Sequence, residues 1–187
     1  IFDDESDYLF NYSNIGQQAH FLDKEAFRML EKLHFENIRL GAIRENIRET
    51  EPIVRDADLL SFDISAIRQS DAPGRGGATP NGLFGEEACQ IVRYAGMSDK
   101  LSSAGFYEFN PEFDRDHQTA QLVAQMMWYC LDGFCSRKQD YPIVNESDYL
   151  KYVVNFEENG YQIKFWKSIK SSRWWIEMPV LNDKKRE

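Results

Sequence analysis

Residues 59–65 read LLSFDIS, and the fold turns on the aspartate that closes this apolar run. The longer stretch ADLLSFDI (57–64) is short and continuously apolar, the pattern of a strand covered on both faces in a parallel sheet. A carboxylate at the end of such a strand is costly unless it is hydrogen-bonded, paired or holding a metal.

Working outward, LFNYSNIG (9–16) reads as a strand ending at Gly16, and DKEAFRMLEKLHF (23–35) as a helix. Ala26, Phe27, Leu30 and Leu33 share one face of that helix, behind an Asp23 cap. NIRLGAI (37–43) is a second strand candidate, and IRETEPIVRD (47–56) a short polar helix or turn. After Asp63, residues 70–82 hold four Gly and two Pro, which is loop chemistry. FGEEACQIVRYAG (84–96) is a helix with Glu86 and Glu87 near its positive end, and KLSSAGFYEFNP (100–111) a second buried strand. DHQTAQLVAQMMWYCLDG (116–133) is a helix apolar on nearly all sides, which predicts burial between layers. Strand alternating with helix is the rhythm of a parallel α/β sheet with right-handed crossovers. YLKYVVNF and YQIKFWKS, around EENG, predict a β-hairpin, with RWWIEMP as a third strand; Trp174 and Trp175 then face opposite ways.

Composition narrows the function. The chain has 187 residues, 42% of them hydrophobic, and a net charge of −9. The excess lies in residues 1–138, with 14 Lys+Arg against 23 Asp+Glu; residues 139–187 balance at 8 against 8. No basic patch points to nucleic acid, and no apolar run approaches the roughly 20 residues of a membrane span. Cys89, Cys130 and Cys135 have no metal-ligand spacing and fit reduced thiols in a cytoplasm. The start at Ile1, inside an acidic run, fits a processed or incomplete chain.

The glycine loop lacks a phosphate-loop pattern, and no serine sits in a nucleophile elbow. Asp63 and Glu108 carry more information, because both stand at the carboxyl ends of predicted strands, where α/β sheets bind ligands. Together they hold a cation or a cationic substrate; alternatively, each caps its strand or pairs with an arginine such as Arg68 or Arg75. His20 follows the first strand and is read as structural rather than as part of that crevice, His34 is structural, and the three histidines form no ligand spacing.

In order, LLSFDIS, the AP and Thr-Pro loop, NGLFGEEACQIVRYAG, LSSAGFYEFNP and TAQLVAQMMWYCLDG resemble the carboxyl-terminal half of the ureohydrolases, the family of arginase, agmatinase and formimidoylglutamase. The resemblance covers roughly residues 9–134 and implies a three-layer α/β/α fold with a mainly parallel sheet. Residues 1–138 would be the carboxyl-terminal half of that domain, and 139–187 a β-rich extension packing on it or on a partner subunit. Family enzymes hold two Mn²⁺ that share a hydroxide, which attacks a guanidinium or formimidoyl carbon, and they are homo-oligomers. By position, Asp63 matches a metal ligand, Glu108 the glutamate that binds the substrate's cationic group, and Thr79 the threonine of the substrate loop.

The departures are as specific as the match. Ser65 stands where the family has its second metal-binding aspartate, and ISAIRQS replaces the rest of that motif. The family's G-G-x-H and D-A-H-x-D ligand motifs do not occur in these 187 residues. No residue here matches a proton-transfer role. The resemblance implies metal-dependent hydrolysis of a linear C–N bond in a guanidino or formimidoyl substrate, or else a degenerate relative with a binding or scaffolding role.

Overall fold

In the computed structural model, which describes residues 11–21, 23–33, 35–141, 145–156 and 161–177, every parallel strand leads into a helix. β1 (Ser13–Gln17) and β2 (Glu36–Arg39) are linked by α1 (Lys24–Lys32) and pair in parallel. α2 (Leu40–Glu45) and α3 (Thr50–Val54) follow, then β3 (Leu59–Asp63), α4 (Gly85–Gly96), β4 (Ser103–Tyr107) and α5 (Gln118–Cys135). β3 and β4 pair in parallel with Leu59 opposite Ser103 and Asp63 opposite Tyr107. This is the expected α/β architecture, and both pairs deliver their strands to a carboxyl edge.

The core lies between the strands and α4. Ile43, Ile64, Ile67, Leu83, Val92 and Met126 are fully buried there. At the crossing of α4 and α5, a Cβ on Gly96 would strike the Cys130 carbonyl, and one on Gly133 the Arg93 carbonyl. The two glycines therefore let the helix backbones touch, and Arg93 bonds Asp132 across the same crossing at 2.6 Å.

Three expectations change. NIRLGAI is not one strand: β2 ends at Arg39, and Leu40 and Ile43, three residues apart, become the buried face of α2. The runs in β3 and β4 are not covered on both faces: Phe62 is buried while Leu59 is 61% exposed, and β4 buries none of its five residues fully. The alternation was masked because Leu occupies both an inward and an outward position. α5 buries Thr119, Met126 and Gly133 along its α4 side, yet leaves Trp128, Leu131 and Phe134 exposed. It is packed on one side rather than between layers.

The described residues form two compact units, with the division between Arg137 and Lys138. The second is an antiparallel sheet of β5 (Tyr149–Phe156), β6 (Tyr161–Ser168) and β7 (Trp174–Glu177), in that order. The hairpin and third strand form as expected; the EENG turn and His34 lie outside the described residues. Trp174 packs on Tyr152 and Trp175 on Tyr149, on opposite faces.

The helix crossing gives a test with an unusual sign. Gly→Ala inside a helix ordinarily stabilises by about 0.5–1 kcal/mol. Here Gly133→Ala should instead destabilise by about 1–3 kcal/mol through overpacking, read as a lower urea midpoint. An unchanged or higher midpoint would contradict the backbone contact.

Candidate functional site

Asp63 is the last residue of β3, and its Oδ1 accepts the Ser65 N–H at 2.7 Å. That bond caps a 3-10 turn, Ile64–Ala66, which buries Ile64 and sends the chain back into the core at Ile67. The strand partner of Asp63 is Tyr107, whose ring folds back over Gly105. Glu108 comes next, with φ of +67°, a conformation non-glycine residues adopt at a cost. Its carboxylate is exposed, and among the described residues it makes no hydrogen bond or ion pair. Asp63 and Glu108 thus occupy the same edge of one strand pair.

The glycine loop is held by bonds to its own backbone carbonyls and amides. Thr79 donates its hydroxyl to the Asn81 carbonyl at 2.9 Å, and its own carbonyl accepts the Gln69 N–H at 2.7 Å. Gln18, just past β1, donates to the same Asn81 carbonyl, and Arg44 of α2 donates to Gly82. The Arg44 and Arg68 guanidiniums both stack on the Phe84 ring, at 4.6 and 4.0 Å from its centre. Neither Arg68 nor Arg75 pairs with Asp63 or Glu108. Arg68 bonds Asp71 at 2.8 Å, and Arg75 donates to the Gly77 carbonyl.

Asp71 and Asp114 were not singled out by the sequence, and they anchor the loop. Asp71 also accepts the Gly85 N–H at 2.8 Å, which ties the loop to the start of α4. Asp114 accepts the Thr119 and Ala120 N–H groups at 2.8 and 2.9 Å and so caps α5. The Thr119 hydroxyl accepts the Gly74 N–H at 2.7 Å, and the Gly74 carbonyl accepts the Asn110 N–H. A Cβ at Gly74 would meet Thr119 and Asp114 within 3 Å, so only glycine fits this stitch. Burial pushes both carboxyls up, and the donors outweigh it. For Asp71 these are Arg68, Gly85 and Ser70; for Asp114, Thr119 and Ala120, aided by the His117 charge. Both end below the ordinary carboxylate value. An Asp five residues before a Thr at a helix start was the signal available in sequence.

The described residues do not fit a pair of divalent ions. Among the described residues no three His, Cys, Asp or Glu side chains converge. Ser65 offers a neutral hydroxyl where hard ions favour anionic oxygen. His20 stacks beside Phe21 at 4.2 Å, and His117 stands exposed at the start of α5.

The sequence profile of the arginase family matches residues 10–132. Formimidoylglutamase of Bacillus subtilis (strain 168) is 28% identical over 122 residues, covering 60% of this chain and 38% of that protein. A solved formimidoylglutamase from Bacillus subtilis superposes with a TM-score of 0.60 at 23% identity, covering 66% of this chain and 41% of that one. Trypanosoma cruzi formiminoglutamase, solved with Mn²⁺, gives 0.59 at 19% identity, covering 66% and 44%. The chain spans about two fifths of the length of the curated relatives it matches.

A depressed carboxyl contributes stability that is complete above the unfolded value of about 3.9 and is lost as pH falls through the lower folded value. Asp114→Asn should cost about 1–2 kcal/mol at neutral pH, the ordinary scale of a lost cap. It should also make the acid decline below about pH 4 shallower, read as urea midpoints across that range. A variant with the wild-type acid profile would show that the cap is not charge-dependent.

Proposed function

The chain belongs to the arginase family, and we propose that its carboxyl edge binds the cationic C–N group of a guanidino or formimidoyl compound without the family's pair of Mn²⁺ ions. One observation supports this above the others: Glu108 is held at φ +67° with an exposed, unpartnered carboxylate beside the Asp63 strand end. Backbone strain of this kind is retained where the surrounding structure imposes it, and it clusters at ligand sites. A carboxylate set there receives a planar guanidinium or formimidoyl group through two parallel N–H···O bonds. Asp63, with one oxygen on Ser65, adds negative charge to the same edge. Thr79 is tied to its own loop and shapes the rim.

A second reading is metal-dependent hydrolysis of a linear C–N bond. The likeness to formimidoylglutamases and the retained Asp63 favour it. It requires ligands beyond those this chain brings together.

The cytoplasmic setting is likewise a proposal. Three free thiols support it: Cys89 buried, Cys130 half-buried and Cys135 exposed. No described helix is long and apolar enough to cross a membrane.

Calorimetric titration of the protein with arginine, agmatine and N-formimidoyl-glutamate separates the two readings. The binding reading predicts saturable binding of at least one of them, weakened about tenfold or more by Glu108→Gln, with no release of urea, ammonia or formamide. Binding untouched by Glu108→Gln would end the assignment of Glu108. Turnover that disappears in Asp63→Ala would establish the hydrolase instead.

A further inference from the structure

A second cavity, of about 400 Å³, opens at the other carboxyl edge, where β1 and β2 end. It is lined by Gln17, Asp23, Lys24, Phe27, Arg28 and Arg39, with Ala19 at its margin. Three cations therefore face one carboxylate, in a chain whose net charge is −9. The carboxylate is already engaged, because Asp23 Oδ1 accepts the Glu25 N–H and caps α1. Lys24, Arg28 and Arg39 make no hydrogen bond or ion pair among the described residues.

Lys24 and Arg28 are four residues apart on α1, where like charges repel by a few tenths of a kcal/mol. Lys24 also lies in the first turn, where the helix dipole disfavours a cation. Arg39 reaches the cavity only because of a register shift between Ile15 and Gln17, which sets Gln17 opposite Arg39 at the two strand ends. Gly16, at φ +92°, makes that shift. The Gln17 side chain is held in turn, its Oε1 accepting from Asn37 at 3.1 Å.

We propose that this cavity is a binding site for a small oxyanion carrying two negative charges, separate from the edge at Glu108. Arg28 and Arg39 supply planar forks that match carboxylate or phosphate oxygens, and Lys24 supplies a point charge beside them. The excess of cations over the single engaged carboxylate selects a dianion over a monoanion.

The test is an NMR titration of the isotopically labelled protein with inorganic phosphate and, separately, with glutarate. Amide shifts of Gln17, Ala19 and Lys24 are followed in each. Saturable shifts at these residues with either anion are expected, and the anion that binds identifies phosphate or dicarboxylate as the chemistry. Arg39→Gln should weaken binding about tenfold, and Lys24→Gln with Arg28→Gln by more. Lys100→Gln, remote from the cavity, should leave binding unchanged. Lys24, Arg28 and Arg39 are exposed and Lys100 is half-buried, and an unchanged urea midpoint verifies the fold of each variant. The proposal is overturned if neither anion shifts these amides, if Arg39→Gln and the double variant bind like wild type, or if Lys100→Gln weakens binding as much.

Discussion

Backbone N–H groups at the starts of turns and helices take up three carboxylates around the carboxyl edge of the first unit, and that edge is built on those bonds. Asp63 holds Ser65, Asp71 holds Gly85, and Asp114 holds Thr119 and Ala120. These amides have no partner within their own helices and carry the positive end of the helix dipole, so a carboxylate is the favoured acceptor. The consequences reach beyond capping. Asp71 fixes the loop to α4, and Asp114, through Thr119 and Gly74, fixes it to α5. The path of residues 70–82 across the strand ends follows from these contacts.

Among the described residues these acidic groups are not gathered at one point. A binuclear site requires several anionic oxygens directed at one point. Here the acids are dispersed among caps, and the hydroxyl of Ser65 replaces one of them. Glu108 is not taken up in this way: at the end of β4 it is exposed, unpartnered and held in left-handed backbone. In the proposed function, that edge recognises positive charge. The neighbouring edge, with Lys24, Arg28 and Arg39, has the opposite sign.

Much of this was legible in the sequence, where local pattern governs structure. β3, β4 and α4 follow from apolar runs and capping acids, and the β5–β6 hairpin from alternation around a turn. The break at Leu40 was not legible, because NIRLGAI is as apolar as a strand and becomes helical only when Leu40 and Ile43 find the core. The one-sided burial of α5 was hidden for the same reason: Trp128, Leu131 and Phe134 look like core in any linear reading. Asp63 and Glu108 were placed on one edge by reasoning about strand ends. The partner of Arg68, however, was Asp71 rather than either of them. The basic cavity was invisible, since Lys24, Arg28 and Arg39 meet only after β1 and β2 pair with a shifted register.

The central claim is that the carboxylates of this chain support its fold and bind charge without forming a metal centre. Metal analysis of the purified protein after equilibration with Mn²⁺, with and without Asp63→Ala, tests it most directly. The account predicts substoichiometric Mn²⁺ in both proteins. A binuclear complement of Mn²⁺ that vanishes in Asp63→Ala would contradict it.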